Sequence, residues 1–263
     1  MTRSGRRVDP RAAASTAGRW LVVAALAYAA WRWLLAPSVP RVFVSDPDAV
    51  LHRLQLWIGD GTLLSLVVTT LSESVAGFVA GSLIAIVLAF ACGLGPQMVG
   101  ELVEPAIASL YAMPKFAFIP LLYVWLGNGF VPIVIFVALT VLPIVFLGML
   151  TGLRTVDPLR VQMLRLFGAS QRQVASKLLL PHGLGYLGTS LTIASHNSVA
   201  SAVGAEILFG SADGLGGTMY RAGLTFDTAS VLAALFAATV ISSLYIRLFQ
   251  AVSRSGSVPP ARG

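Results

Sequence analysis

Six apolar runs, at about 20–36, 62–91, 101–126, 131–150, 184–208 and 229–250, dominate this chain. An α-helix rises 1.5 Å per residue, so roughly 20 apolar residues cross the ~30 Å hydrocarbon core of a bilayer. Inside hydrocarbon every backbone polar group needs a partner within the protein, which restricts spanning segments to helices or closed barrels. Runs of this length predict helices. Of 263 residues, 56% are hydrophobic and 11% charged, with a mean hydropathy of +0.82. Soluble domains carry roughly 25% charged residues, so too few remain here to cover a water-facing surface. The expected fold is an all-α integral membrane protein with about six transmembrane helices.

The first run is short and interrupted by Arg32. Its AYAA also reads as a signal-peptidase site behind an arginine-rich start. The apolar character continuing past Arg32 through WLLA favours an uncleaved helix. Outside the runs, the basic residues are unevenly placed. Residues 1–19 carry Arg3, Arg6, Arg7, Arg11 and Arg19; residues 151–183 carry Arg154, Arg160, Arg165, Arg172 and Lys177; residues 247–263 carry Arg247, Arg254 and Arg262. With six spans these segments share one side and hold 13 of the 18 Lys and Arg. The positive-inside rule puts that side, and both termini, in the cytoplasm. The opposite side has Arg41, Arg53 and Arg221, diluted by Asp46, Asp48, Asp60, Asp213 and Asp227. The net charge of +7 is thus a topology signal, and no nucleic-acid partner is implied.

The organisation that follows is a cytoplasmic tail at 1–19, a first helix with an external segment at 20–61, a membrane core at 62–250 and a tail at 251–263. In the external segment, Pro47 begins a short amphipathic helix with Val50, Leu51, Leu54 and Ile58 at helical spacing. One cysteine, Cys92, excludes an intramolecular disulfide and a cysteine-based metal cluster. No cofactor or metal is expected. His196 has only the cytoplasmic His182 anywhere near it in sequence, and it reads as a packed or hydrogen-bonded residue.

The cytoplasmic loop 151–183 is punctuated rather than featureless. Asp157-Pro158 forms an N-cap with proline at the first helical position, and Gly168 suits the left-handed residue that ends a helix. Ser170 with Gln173 three residues on makes a capping box, Val174, Leu178 and Leu179 keep helical spacing, and Pro181 marks an end. The pattern predicts two short rigid helices with a hard turn between them, interleaving apolar and basic residues. Such an element reads as a docking surface for a cytosolic partner.

Several stretches resemble the permease subunits of bacterial ABC importers. Gly168-Ala169-Ser170 followed by Leu180-Pro181 is similar to their coupling loop; Gly77-Phe78 and Gly81 lie in a stretch that resembles their second helix. VEPAIASLYAMPKFAFIPLLYVWLGNG at 103–129 and GAEILFGSADGLGG at 204–217 resemble the branch handling nitrate, sulfonates, taurine and related solutes. The resemblance implies a type I (MetI-like) permease fold, two ATPase subunits, a periplasmic or lipid-anchored binding protein and a second permease copy, with a homodimer favoured. It also implies that Leu164, Arg165, Phe167, Gly168, Ala169, Ser170, Gln173 and Pro181 contact the ATPase. Two departures stand out: Gln162-Met163-Leu164 replaces the usual Glu-Ala-Ala, and Glu73 stands where arginine is usual. A nucleotide-binding P-loop needs lysine after glycine. The only lysines here follow Pro114 and Ser176, so this chain is not expected to be an enzyme.

Ionisable groups within a bilayer are functional candidates by default. Lys115, midway along its run between the helix-breaking Pro114 and Pro120, would suit an anionic solute; pairing with Glu73 or snorkelling is the alternative. In the fifth run Ser190, Asn197 and Ser201 share a helical face, with Glu206 beyond them. That face either lines a translocation path or packs against a neighbouring helix. The competing functional class is an ion-coupled secondary transporter, which usually shows internal repeats absent here.

Overall fold

The computed structural model describes residues 19, 22–23, 25–40, 43–210 and 213–256, giving the backbone alone for Ala36 and 251–256. The expectations for the tails at 1–18 and 257–263, and part of the first run, lie outside these residues. Helix α1 covers 25–38 and contains a π-helical stretch, Trp31–Leu35. There follow α2 (Pro47–Gly59), α3 (Thr62–Leu94), α4 (Gln97–Ala112), α5 (Ile119–Leu126) and α6 (Phe130–Arg154). The second half holds α7 (Pro158–Leu166), α8 (Gln171–Val174), α9 (Leu180–Phe209), α10 (Leu215–Leu224) and α11 (Thr228–Gly256). No strand occurs among the described residues.

Helices α3, α6 and α11 (over Thr228–Gln250) are each long and apolar enough to cross a membrane. The run expected at 101–126 is not one straight helix. It divides at Met113-Pro114 into α4 and the segment Lys115–Leu126, bent by 92°, the geometry of a broken span or of a re-entrant loop. Pro114 takes ψ 86° at the break, whereas Pro120 sits in the first turn of α5, where its missing N–H costs no hydrogen bond. The 30-residue α9 has the length of a span but is less apolar than α3 and α6, and it is wedged between α3, α6 and α11.

The core is built on α6, whose Ile133, Phe136, Val137, Val141, Val145, Phe146 and Met149 are at most 1% exposed. Water cannot drive helices together in lipid, so close packing between them must. Gly77 and Gly81 of α3 supply it, one turn apart. A Cβ at Gly77 would lie 2.5 Å from the Val137 Cβ, and one at Gly81 would lie 2.6 Å from the Ala138 carbonyl oxygen. Polar groups turn inward: Thr70, Glu73 and Ser74 of α3 are buried, and the Ser74 hydroxyl hydrogen-bonds that of Ser198 at 3.0 Å. The opposite face of α3 exposes Leu64, Val68, Val79, Leu83 and Val87, as a lipid-facing stripe requires.

Ion pairs bind the two ends of the bundle. At one, Arg154 closing α6 pairs with Glu104 of α4 through both guanidinium nitrogens. At the other, Arg53 of α2 donates to Asp227 at 3.1 Å. Asp227 also caps α11, accepting from the Ser230 amide at 3.1 Å and its hydroxyl at 2.6 Å. Helix α2 starts at Pro47 as expected, but Pro47, Val50 and Trp57 are the residues it buries, while Leu51 and Ile58 are exposed. Arg32, the charge interrupting the first run, reaches Asp46 at 3.8 Å and Asp48 at 3.4 Å.

Two outcomes follow. Gly77→Ala will destabilise the detergent-solubilised protein by about 1–3 kcal/mol through overpacking. Gly185→Ala, in α9 with nothing within 4 Å of the new carbon, will be neutral or stabilising by up to ~1 kcal/mol; thermal unfolding of both variants checks the contrast. Burial opposes ionisation of Asp227, but the Ser230 hydrogen bonds and the Arg53 charge outweigh it and hold the carboxyl below its usual range. A depressed carboxyl stabilises the fold above its unfolded pKa, near 3.9, and loses that contribution as pH falls through the folded value. Wild-type unfolding temperature will therefore drop more steeply below about pH 4 than that of Asp227→Asn.

Candidate coupling surface and buried carboxyl site

The loop predicted to dock a partner is ordered by its own caps. The Asp157 side chain accepts from the Leu159 amide at 2.9 Å and starts α7. At the other end Gly168, at φ +80°, donates to the Arg165 carbonyl and Ala169 donates to that of Leu164, each at 3.0 Å. These two bonds make a Schellman motif, in which a left-handed residue lets the chain turn back onto the last carbonyls of the helix. The capping box is complete: the Ser170 hydroxyl accepts from the Gln173 amide at 3.3 Å, and Gln173 Oε1 accepts from the Ser170 amide at 2.8 Å.

Pro181 does not end the second helix. From Gln171 the chain stays helical through the π-helical stretch Ala175–Leu179 and on into α9, with Pro181 in its first turn. A proline inside an α-helix lacks a donor and its ring strikes the carbonyl four residues back. Here the preceding turn is widened, with the Leu180 amide donating to Ala175, five residues back. The π-turn thus lets one continuous helical rod pass through a proline.

On α7, Leu159, Met163, Leu166 and Phe167 fall on one face and are 56–86% exposed, with Leu166 and Phe167 highest at 86% and 85%. Leu164 is partly buried, while Arg165, Ser170 and Gln173 are exposed. Val174 anchors the second half at 3% exposure.

The expected path residues are not gathered into one chamber. Lys115 does not reach Glu73: its ammonium donates to the Tyr111 carbonyl at 3.1 Å and lies 5.2 Å from the centre of that ring. Ser190 is buried against Gly148, with its hydroxyl donating to the Tyr186 carbonyl at 3.0 Å. Asn197 is partly buried and donates to the Ile193 carbonyl at 3.0 Å; Ser201 is buried.

Glu206 is different. It is fully buried, and its Oε2 accepts from the Gly216 amide at 2.5 Å, at the start of α10. A helix N-terminus carries unpaired N–H groups and partial positive charge, which favour a carboxylate. The neighbouring Leu215 amide donates to Thr70 Oγ1 at 3.0 Å. Gly214 and Gly216 are required here because a Cβ at either would collide with the Glu206 carboxyl. This is the physical reason for the acidic residue followed by Gly-Leu-Gly.

Glu73 of α3, 2% exposed, brings its carboxyl close to that of Glu206, with the Asp213 carboxyl also near. Glu73 Oε2 and Glu206 Oε1 have no hydrogen-bond partner. The sequence marked both residues separately; nothing in their spacing, 133 positions apart, showed that they meet. No group of three or more potential metal ligands occurs among the described residues.

Comparison with known proteins agrees with this architecture. The chain is 27% identical to the taurine transport system permease protein TauC of Escherichia coli (strain K12), over 81% of this chain and 79% of the relative. It is 23% identical to the putative aliphatic sulfonates transport permease protein SsuC of Bacillus subtilis (strain 168), over 88% and 84% respectively. Among solved structures, an inward-facing MetNI methionine ABC transporter matches with a TM-score of 0.63 at 18% identity, covering 74% of this chain and 95% of that one. An amino acid ABC transporter also matches at 0.63 and 15% identity, covering 77% and 97%, so the fold is shared. Residues 81–256 match the family described as binding-protein-dependent transport system inner membrane component, and the chain, a multi-pass ABC importer permease, belongs to that family.

Proposed function

We propose that this permease forms the path for a small sulfonate-type solute, and that residues 157–181 couple it to a separate ATPase. The observation that carries the reading is the apolar face of α7, 56–86% exposed on an element whose two ends are locked by caps. Surface patches of this kind mark partner sites. A rigidly capped element moves as a unit when its partner moves. The second half of the segment continues without interruption into α9, which carries Glu206 at its far end. A displacement imposed at Ser170 therefore reaches the opposite end of the bundle along one rod.

In this reading two ATPase subunits dock on two permease copies, and a binding protein delivers solute to the face opposite the coupling segment. Both termini and residues 151–183 face the cytoplasm, as the distribution of Lys and Arg supports. The sulfonate class is supported by the likeness to the taurine and aliphatic sulfonates permeases. Lys115, at the bend between α4 and α5, supplies a cation for the anionic end of such a solute.

Proteoliposomes holding the permease, its ATPase and its binding protein will accumulate solute only with ATP; uptake that persists without any ATPase chain refutes the coupling and favours an ion-coupled carrier. Gly168→Val forces a β-branched residue to φ +80°, which costs about 1–2 kcal/mol and re-aims the turn. It will insert normally yet lose most ATP-driven uptake. Phe167→Ala removes an exposed aromatic anchor and will weaken ATPase binding by roughly 30-fold, the effect of a hot-spot residue, read by titrating purified ATPase onto the permease.

A further inference from the structure

Where α3, α9 and the start of α10 meet, two buried carboxyls come together without a donor between them. Adjacent amides of α10 fix the geometry: Leu215 donates to Thr70 Oγ1 of α3 at 3.0 Å, and Gly216 donates to Glu206 Oε2 of α9 at 2.5 Å. Glu73 lies about one helical turn beyond Thr70, on the same face of α3. The Ser74–Ser198 hydrogen bond holds the same two helices together. Glu73 and Glu206 are 2% and 0% exposed. Glu73 Oε2 and Glu206 Oε1 have neither a hydrogen-bond partner nor contact with solvent.

A cavity of about 540 Å³ opens beside Glu73, lined also by Ser65, Thr69, Ser72, Phe130 and Asp213. It lies at the end of the bundle opposite the coupling segment, since the other end of α3 packs through Gly93 on Leu153, beside the start of that segment. Asp213 is exposed and keeps its hydration, whereas the two orphan oxygens are shielded from the cavity.

A buried acceptor without a donor costs free energy, and two carboxylates close together in a water-free site repel each other. No ion pair among the described residues reaches either group. An arginine at position 73, usual in the permeases this chain resembles, would be a counter-ion for Glu206; a glutamate there cannot be. One proton removes both difficulties. An O–H from one carboxyl to the other satisfies both orphan oxygens and leaves a single charge. That charge belongs on Glu206, whose Oε2 accepts the Gly216 amide at the positive end of α10.

We propose that Glu73 and Glu206 share one proton, and that this bond is a clasp fastening the far end of the coupling rod to α3. The shared proton follows from the packing of this chain alone; the clasp's part in coupling rests on the importer reading above. ATPase movement carried along the rod displaces Glu206, and a bond to α3 made only in this arrangement opposes that displacement.

Infrared spectra of the purified permease test the proton directly. Wild type will show the carbonyl stretch of a buried protonated carboxyl. Both Glu73→Gln and Glu206→Gln will lack it, because in either variant the amide N–H replaces the proton and the remaining carboxyl is ionised. Survival of the band in either variant, or its absence from wild type, overturns the inference. Thermal unfolding gives a second reading where Glu206→Gln does not fold. Glu73→Gln, which keeps a donor, will unfold within about 2 °C of wild type, while Glu73→Leu, which orphans Glu206, will unfold about 5 °C lower. A leucine variant as stable as wild type, the result expected of two repelling carboxylates, also overturns the inference. In the permease assembled with its ATPase and without binding protein, Glu73→Leu will raise ATP hydrolysis about threefold or more, and Glu73→Gln will not. Unchanged hydrolysis in Glu73→Leu overturns the clasp's part in coupling. If no ATPase assembles with wild type, the importer reading fails instead, and the spectra still decide the proton.

Discussion

The close approach of α3 and α9 to the central α6 is the contact on which everything else here depends. In a bilayer the apolar surfaces of helices gain nothing by leaving water, so atomic fit, helped by hydrogen bonds between helices, keeps α3, α6 and α9 together. Glycines at the crossings provide that fit: Gly77 and Gly81 where α3 meets α6, and Gly148 where α6 receives Ser190 of α9. With those three fixed, the polar faces of α3 and α9 have to meet each other. Ser74 then finds Ser198, and Glu73 finds Glu206.

That arrangement ties the two ends of the molecule together. The coupling segment leaves α6 through a capped short helix, turns at Gly168 and re-enters the bundle as a rod running from Gln171 to Phe209. The far part of the rod carries Glu206, whose carboxyl holds the start of α10. A shift of the rod therefore disturbs the carboxyl pair and the cavity beside it. In this account ATPase movement and solute access are two ends of one mechanical element, and the π-turn at Ala175–Leu179 is where its helical geometry departs from ideal.

Much of this was legible because local chemistry has few solutions. The Asp157-Pro158 start, the Gly168 stop and the Ser170–Gln173 capping box each bind neighbours within four residues, and all three stand as read. Proline was harder, because the same residue ends a helix, begins one or is absorbed by a wider turn. Pro114 breaks its helix, Pro120 begins one, and Pro181 is carried through by the π-turn. The buried face of α2 was only half visible, since Val50 fits the helical pattern but Trp57, not Ile58, turns inward beneath it. The carboxyl pair was not legible at all. Its members come from helices distant in sequence, and only the α3–α9 packing brings them together.

The central claim is that the capped segment around Phe167 faces the cytoplasm and is covered by an ATPase. It is tested most directly by labelling Phe167→Cys, with the buried Cys92 replaced by alanine, using a membrane-impermeant maleimide. In inside-out vesicles the thiol should react rapidly when the permease is alone and be protected when the ATPase is co-expressed. Reaction only from the outer face, or equal reaction with and without the ATPase, would contradict the account.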